Sequence, residues 1–383
     1  MSESVGVPFS IVTQSMNRSS IALTISLAFA VPMSVFAAAS VPCWQSRELA
    51  GDPLFFVTSA GDTLAKASLL RVPEKAPVLK SASGEIVYEL GRDFTWKPGS
   101  RLIVLTQNSR MPFKTLAELH PPPGSPNAYK STVDGKSWLL YSQGRFFHDL
   151  QCAASYTARD DWMPPRVPVA PIVQLQKIRA RLAAKQPIKL VVLGDSISTG
   201  LNASMTGNAP PKQPGYPGLV AQGLEQRFGS KVTLVNLSVS GMSASWGLSQ
   251  ADAVIKETPD LFLCAFGMND ASGKIHPELF ANTLRALVDK VRAAHPGCAA
   301  IVVSSMTANP EWIHATPPLY PAYAAALEKL TGPGIAAANV TSVWMALLER
   351  KQVLDFTGNG LNHPNDFGHR IYADVILGVI GDN

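Results

Sequence analysis

Ser196 lies in a glycine-containing turn that follows an apolar run. Residues 194–200 read GDSISTG and directly follow the apolar run 190–193. A short apolar run is typical of a strand buried in a parallel sheet, and ligands of open α/β sheets bind beyond the carboxyl ends of such strands. The alternative for this serine is a helix N-cap. The run and the turn together predict that Ser196 lies in the ligand crevice.

Three further blocks supply residue types that can act with a serine. NLSVSG ends at Gly241, GMND contains Asn269, and NHPNDFGH contains His363. A serine hydroxyl needs a neighbouring base to take its proton, and histidine titrates near neutrality. The attacked carbonyl becomes an oxyanion, which fixed N–H donors stabilise. The blocks predict a serine nucleophile that acts with a histidine as its base. Structural alternatives are a permissive backbone angle at Gly241 and a turn at Asn269.

Alternating strands and helices position these blocks. Apolar runs predict strands at residues 189–193, 232–236, 261–266 and 299–304, and helices at residues 217–227, 249–257, 277–294, 322–330 and 368–380. Such alternation implies right-handed crossovers and a parallel sheet with helices on its faces. The pattern therefore predicts an α/β fold, with the four blocks at the ends of its strands.

With the four blocks in this order, the chain resembles the SGNH hydrolases, also called GDSL esterases and lipases. The resemblance covers residues 189 to the C terminus. It implies a flavodoxin-like, three-layer fold and an oxyanion hole made of the Ser196 and Gly241 backbone N–H groups and the Asn269 side chain. It also implies that His363 is the base and that His369, which opens the closing helix, packs or caps. No metal and no cofactor are expected.

The sequence departs from the family pattern at the third member of the triad. Most members carry an aspartate three residues before the catalytic histidine, where this chain has Gly360. Three replacements are open: a backbone carbonyl near Gly360, Asp355 or Asp366. A carbonyl that accepts from Nδ1 can fix the histidine tautomer, so we favour a Ser196 and His363 dyad.

The residues before the α/β pattern form a different kind of region. Short β-type segments separated by glycine and aspartate predict a small all-β, sandwich-type domain at residues 40–157. A proline-rich linker and helix follow at residues 158–186, and the SGNH domain occupies residues 187–383. Residues 79–94 and 146–156 resemble the accessory region that precedes the catalytic part of some exported carbohydrate esterases of this family.

The N terminus predicts export. Arg18 precedes the apolar stretch 21–36, and three alanines follow at 37–39, as in a secretory signal peptide. We therefore assign residues 1–39 to a signal peptide and expect no stable membrane anchor. Export permits disulfides, and four cysteines can be paired in three ways, one of which contains a bond between Cys43 and Cys152.

Composition narrows the function classes. The chain has 383 residues, of which 46% are hydrophobic and 16% charged, and a formal net charge of +5. Its basic residues are scattered rather than clustered, so we predict no nucleic-acid partner. The leading hypothesis is an exported serine esterase that removes acyl groups, chiefly acetyl, from carbohydrates. The alternatives are an esterase or lipase for small or lipid esters and a catalytically silent glycan-binding protein.

Overall fold

The computed structural model describes residues 41–130, 132–133, 135–166 and 168–381. The predicted signal peptide lies outside the described residues. From residue 41 onward the described residues belong to one compact unit. The predicted domain boundaries stay a prediction.

The N-terminal part is built from short strands in antiparallel and mixed sheets. Its elements are β1 (Glu48–Phe55), β2 (Val57–Thr58), β3 (Lys66–Ser68), β4 (Val78–Ser81), β5 (Val87–Tyr88), β6 (Phe94–Trp96), β7 (Leu102–Leu105), β8 (Lys114–Thr115), α1 (Leu116–Leu119), β9 (Ala128–Tyr129), β10 (Leu139–Leu140), α2 (Phe146–Leu150) and β11 (Gln151–Thr157). One sheet has the order β1-β11-β4-β5, and a second has the order β6-β7-β3-β2-β8. The predicted all-β region is confirmed.

The C-terminal part follows the predicted alternation. Its elements are α3 (Gln176–Ala183), β12 (Ile188–Gly194), α4 (Tyr216–Phe228), β13 (Val232–Asn236), α5 (Ala244–Ser249), α6 (Ala251–Lys256), β14 (Leu261–Ala265), α7 (Met268–Ser272), α8 (Pro277–Ala294), β15 (Ala299–Val303), α9 (Leu319–Glu328), β16 (Ile335–Ala338), α10 (Val340–Leu348), α11 (Val353–Phe356) and α12 (Asp366–Ile380). A 3₁₀ turn, Ile172–Gln174, precedes α3.

A five-stranded parallel sheet forms the centre of this part. Its order is β13-β12-β14-β15-β16, which is the flavodoxin-like order 2-1-3-4-5. The order reverses between β12 and β14, and ligands of doubly wound sheets bind at this switch point. Ser196 follows β12 and Asn269 follows β14, so the two residues lie on either side of it. The predicted fold class is confirmed.

Three details of the sequence prediction differ from the structure. In place of the helix expected at residues 249–257 there are two short helices, of which α5 begins at Ala244 and α6 ends at Lys256. The strand β16, with the sequence IAAA, was not predicted, because alanine has a weak preference for strands. The helices α7, α10 and α11 were not predicted either.

The core runs through both parts. Leu54 and Phe56 of the N-terminal part belong to the same cluster of buried apolar side chains as Leu190 and Val192 of the central sheet. Each of these four side chains is 0% exposed. The N-terminal strands and the α/β part therefore bury their apolar side chains in one common core. Burial of apolar surface is the dominant stabilising contribution in folding.

Candidate active site

The nucleophile turn is shaped by close packing at the end of β12. At Gly194 a Cβ atom would lie 2.2 Å from Ser198 Oγ and 2.4 Å from the Ala265 carbonyl oxygen, so glycine alone fits. One residue further, Asp195 Oδ1 accepts from the Ile197 N–H at 3.0 Å. Burial raises the pKa of Asp195 to about 7. This turn leaves the Ser196 hydroxyl at the carboxyl end of the sheet.

Ser196 and His363 are in hydrogen-bond contact. Ser196 Oγ lies 2.9 Å from His363 Nε2, and both residues are 5% exposed. Burial and the neighbouring His369 lower the pKa of His363 to about 4. The imidazole is therefore neutral at pH 7, the state in which it can accept a proton.

The other ring nitrogen of His363 meets two asparagines. Nδ1 lies 2.9 Å from Asn202 Oδ1 and 3.1 Å from Asn359 Nδ2. Neither asparagine was among the predicted partners. Asn202 comes only six residues after Ser196, in a Gly-Leu-Asn turn, and has a φ of 63°. Asparagine tolerates this left-handed conformation. An asparagine in a glycine-containing turn close to Ser196 was therefore the feature of the sequence that could have pointed to this partner.

The three predicted partners of Nδ1 are engaged elsewhere. The Gly360 carbonyl accepts from Asn309 Nδ2 at 3.0 Å. Asp355 accepts from the Phe55 N–H at 2.7 Å, and burial raises the pKa of Asp355 to about 6. Asp366 accepts from the Ser204 N–H at 2.7 Å, and burial raises the pKa of Asp366. The structure thus places an amide oxygen of the nucleophile loop, rather than any of these groups, beside Nδ1.

The predicted oxyanion donors surround the same edge of the sheet. Asn269 lies in the first turn of α7, and its Nδ2 donates to the Met242 carbonyl at 2.9 Å, which leaves its second amide hydrogen for another acceptor. Gly241 has a φ of 81°, and a Cβ there would meet nothing within 4 Å. Among the described residues, the backbone N–H groups of Ser196 and Gly241 have no hydrogen-bond acceptor.

Asp270 holds the loop that carries Gly241. Its carboxylate accepts from the Ala244 N–H, with Oδ1 at 3.0 Å, and it is 3% exposed. Burial raises the pKa of Asp270 to about 6. The adjacent residues Asn269 and Asp270 therefore tie α7 to residues 242–244. The sequence singled out only the first of these two residues.

The loop that carries His363 packs against the N-terminal part. Gly358 N–H donates to the His363 carbonyl at 2.9 Å and closes the loop. At Gly360 the φ is 86°, and a Cβ would lie 2.5 Å from both the Leu140 carbonyl oxygen and Phe147 Cζ. Glycine is required there for backbone angle and for space. The residue in the position of the family's aspartate thus has a packing role.

His369 and Trp246 have structural partners. His369 Nδ1 accepts from the Tyr216 N–H at 3.2 Å, and its Nε2 faces the Leu201 carbonyl at 3.1 Å. Trp246 is partly buried and packs edge-on against Phe266, with ring centroids 6.5 Å apart. His369 thus links α12 to the start of α4 and to the nucleophile loop.

The four cysteines are buried free thiols, so the structure contains no bond between Cys43 and Cys152. Burial raises the pKa of the Cys152 thiol to about 12. Among the described residues no group of histidine, cysteine, aspartate and glutamate side chains has the arrangement of a metal site.

A doubly wound sheet with a serine and a neutral histidine in contact at its switch point is an arrangement typical of serine hydrolases with α/β folds. The family model described as "GDSL-like Lipase/Acylhydrolase family" matches residues 192–371. Residues 192–371 therefore match the family that the sequence resemblance named, the SGNH hydrolases. The resemblance stated from the sequence is confirmed.

Comparisons with individual proteins add weaker likenesses. The chain is 32% identical over 107 residues to "Thioesterase 1/protease 1/lysophospholipase L1" of Escherichia coli K12, which covers 28% of this chain and 46% of that protein. The chain thus spans about half the length of this curated relative.

Two solved carbohydrate esterases are also similar. A two-domain esterase (CEX) active on acetylated mannans, co-crystallized with mannopentaose, has a TM-score of 0.43 at 23% identity and covers 55% of this chain and 53% of that chain. A Clostridium thermocellum family 3 carbohydrate esterase has a TM-score of 0.36 at 15% identity and covers 50% and 93%.

Proposed function

We propose that this protein is a serine esterase that hydrolyses acyl esters through an acyl-enzyme. The observation that carries the proposal is the 2.9 Å contact between Ser196 Oγ and His363 Nε2. His363 takes the hydroxyl proton as Oγ forms a bond to the ester carbonyl carbon. The proton then passes to the departing alkoxide, and the alcohol leaves. Water attacks the acyl-Ser196 ester by the same steps, with His363 again as base and then as acid.

Three donors stabilise the oxyanion of each tetrahedral intermediate in this proposal: the backbone N–H groups of Ser196 and Gly241 and the side-chain amide of Asn269. Two observations support them. Among the described residues both backbone groups lack an acceptor, and Asn269 is held in place through Met242. Donors fixed before the reaction are generally the largest contribution to catalysis in such sites.

We propose an acylated carbohydrate, chiefly an acetyl ester, as the substrate. An aromatic cluster next to the histidine loop supports a sugar ligand. Tyr129 contacts Tyr141 and Trp312 edge-on, with ring centroids 5.5 and 6.0 Å away. Trp312 belongs to the segment after β15 in which the Asn309 N–H donates to the Leu361 carbonyl at 2.7 Å. Trp312 is buried in the core and supports Tyr129 and Tyr141, which are only partly buried. The two tyrosine rings are therefore the part of this cluster that is open to a ligand, and aromatic side chains line many ligand sites.

Export is part of the proposal. Arg18, the apolar stretch 21–36 and the alanines at 37–39 support removal of a signal peptide. In the part of the chain that the structure describes, no helix is long and apolar enough to cross a membrane. Expression of the full chain in a Gram-negative host, followed by sequencing of the N terminus of the periplasmic protein, tests this. An intact N terminus in the cytoplasmic fraction would contradict export.

The activity is tested with p-nitrophenyl acetate and with the Ser196→Ala variant. We expect release of p-nitrophenol by the wild type, loss of that release in the variant, and labelling of the wild type alone by a fluorophosphonate. Equal rates for the two proteins would contradict the esterase and favour a glycan-binding protein.

Acetate release from acetylated oligosaccharides, compared with hydrolysis of octanoate and decanoate esters, tests the substrate. A preference for the longer esters would favour a lipid-type substrate.

A further inference from the structure

We propose that Asn202 replaces the missing aspartate, so that the site is a Ser196–His363–Asn202 triad rather than a dyad. Asn202 acts through His363 and is therefore a positioning residue. The inference rests on the proposed function, because it assigns the group that steadies the proposed base. Two observations support the inference: the contact between Asn202 Oδ1 and His363 Nδ1, and the hydrogen-bond partners that hold the Asn202 amide in that orientation.

The orientation of the Asn202 amide is fixed by two carbonyls. Asn202 Nδ2 donates to the Gly358 carbonyl at 3.0 Å and to the Gly144 carbonyl at 3.3 Å. A flipped amide would turn its oxygen toward both carbonyl oxygens and lose both bonds. Asn202 Oδ1 must therefore face His363. Because Gly144 belongs to the N-terminal part, that part of the chain helps to set the orientation.

The amide oxygen determines which nitrogen of His363 carries the proton. An amide oxygen only accepts hydrogen bonds, so a bond at 2.9 Å requires a hydrogen on Nδ1. In the neutral ring Nε2 is then unprotonated and can take the proton of Ser196 Oγ. This is the tautomer that an aspartate selects in other triads. An asparagine fixed with its oxygen toward the ring selects the same tautomer without a charge.

Asn359 favours the opposite tautomer. Its Oδ1 accepts from three backbone N–H groups, those of residues 361, 362 and 363, at 3.0 to 3.2 Å. Its Nδ2 is therefore directed at His363 Nδ1 and at Asn362 Oδ1, which lies 3.0 Å away. If Nδ1 accepted from Asn359, the proton would sit on Nε2 and the ring could not deprotonate Ser196. Asn362 Oδ1 gives the Asn359 amide another acceptor. With the proton on His363 Nδ1, Asn202 therefore accepts from the ring and Asn359 still donates to Asn362.

The test compares Asn202→Gly with Asn208→Gly. Asn202 has a φ of 63°, so glycine removes the amide without straining the backbone. Asn208 has a φ of 50° in the same segment and provides the matched control. We expect kcat on p-nitrophenyl acetate to fall by about 10²–10⁴ in Asn202→Gly, with little change in KM. Asn208→Gly should stay within about twofold of the wild type.

A second variant separates positioning from loop structure. Asn359→Asp keeps the oxygen that accepts from the three N–H groups and replaces the nitrogen that faces Nδ1 with an oxygen. In the Asn202→Gly background it should restore kcat at least tenfold, because Nδ1 again has an acceptor. It should also move the acid limb of kcat/KM to higher pH, because a carboxylate favours the imidazolium form of His363.

The outcomes distinguish this inference from the proposed function. If the wild type is active, Ser196→Ala is inactive and Asn202→Gly keeps its kcat, the triad is wrong and the esterase stands. If Asn202→Gly is inactive but Asn359→Asp restores nothing and the pH profile does not move, Asn202 has only a structural role and the inference is overturned. If the wild type itself cleaves no ester, the proposed function fails first.

Discussion

The two halves of the proposed active site are held in different ways. On the serine side the contacts join residues within one sheet edge: Asn236 Nδ2 donates to the Ser198 carbonyl at 2.7 Å, and Asn269 Nδ2 donates to Met242. On the histidine side the contacts reach the N-terminal part. Gln151 Nε2 donates to the Leu354 and Thr357 carbonyls, both at 2.8 Å, across more than 200 residues of sequence.

This difference indicates that the N-terminal part has a role in holding the histidine loop. The strand ends of the parallel sheet bring the nucleophile and the oxyanion donors together, and the N-terminal part contacts later residues of the nucleophile loop, as between Asn202 and the Gly144 carbonyl. The histidine follows α11, a four-residue helix, and its loop is shaped by β1, β11 and the packing of Phe147 on Gly360. The N-terminal part therefore supports the loop of the proposed base. Four predictions test this comparison.

The largest effect is expected at Lys351, which ties the histidine side to β1. Lys351 Nζ lies 2.6 Å from Asp52 Oδ1, and both side chains are 0% exposed. Lys351→Met leaves an unpaired buried carboxylate, so the free energy of unfolding should fall by about 3–5 kcal/mol, as measured by urea denaturation. Lys114→Met removes a partly exposed pair with Glu118 and should cost no more than about 1 kcal/mol. Equal losses in both variants would contradict the importance of the buried pair.

On the serine side, Asn269→Ala should lower kcat without changing the structure of the histidine loop. Removing one oxyanion donor should lower kcat by about 10²–10³, while the thermal midpoint shifts by only a few degrees. Steady-state kinetics on p-nitrophenyl acetate and thermal unfolding measure the two effects. A kcat within twofold of the wild type would remove Asn269 from the oxyanion hole.

Gln151→Ala should disturb both stability and rate, because Gln151 joins β11 to the histidine loop. It removes the two bonds to the loop carbonyls and the bond at 2.9 Å from Asn365 Nδ2 to Gln151 Oε1. We expect a loss of about 1–3 kcal/mol in unfolding free energy and a lower kcat. Gln143→Ala, which removes an exposed bond to the Tyr141 hydroxyl, is the control. A full kcat in folded Gln151→Ala would show that the N-terminal support does not reach the base.

The smallest effect is a displaced pH profile. Burial lowers the pKa of His363 to about 4, and a histidine with a lowered pKa stays neutral, and able to accept a proton, to lower pH. The acid limb of kcat/KM, which reports the free enzyme, should therefore lie well below the ordinary histidine pKa of about 6.5. Circular dichroism over the same pH range shows that the fold persists. An acid limb near pH 6.5 would mean that the ring is better solvated than the structure indicates.

The sheet and the serine side could be predicted from sequence because their signals are local. Apolar runs mark the strands at β12, β13, β14 and β15, and the residues with chemistry follow those runs within a few positions. The partner of His363 Nδ1 could not be predicted in this way. It depends on how the loop after Ser196 folds back over the histidine loop, and an asparagine in a turn has many uses.

Most of the strands and helices, and the residue types at the strand ends, follow from the sequence, because hydrophobic periodicity and turn chemistry act over short distances. The tertiary structure alone decided the surroundings of the histidine: which asparagine faces Nδ1, where Asp355 and Asp366 are bound, and how Gln151 and Lys351 connect the loop to the N-terminal strands. These contacts join residues far apart in the chain, and a hydrogen bond forms only when donor and acceptor are placed within about 3 Å at the right angle.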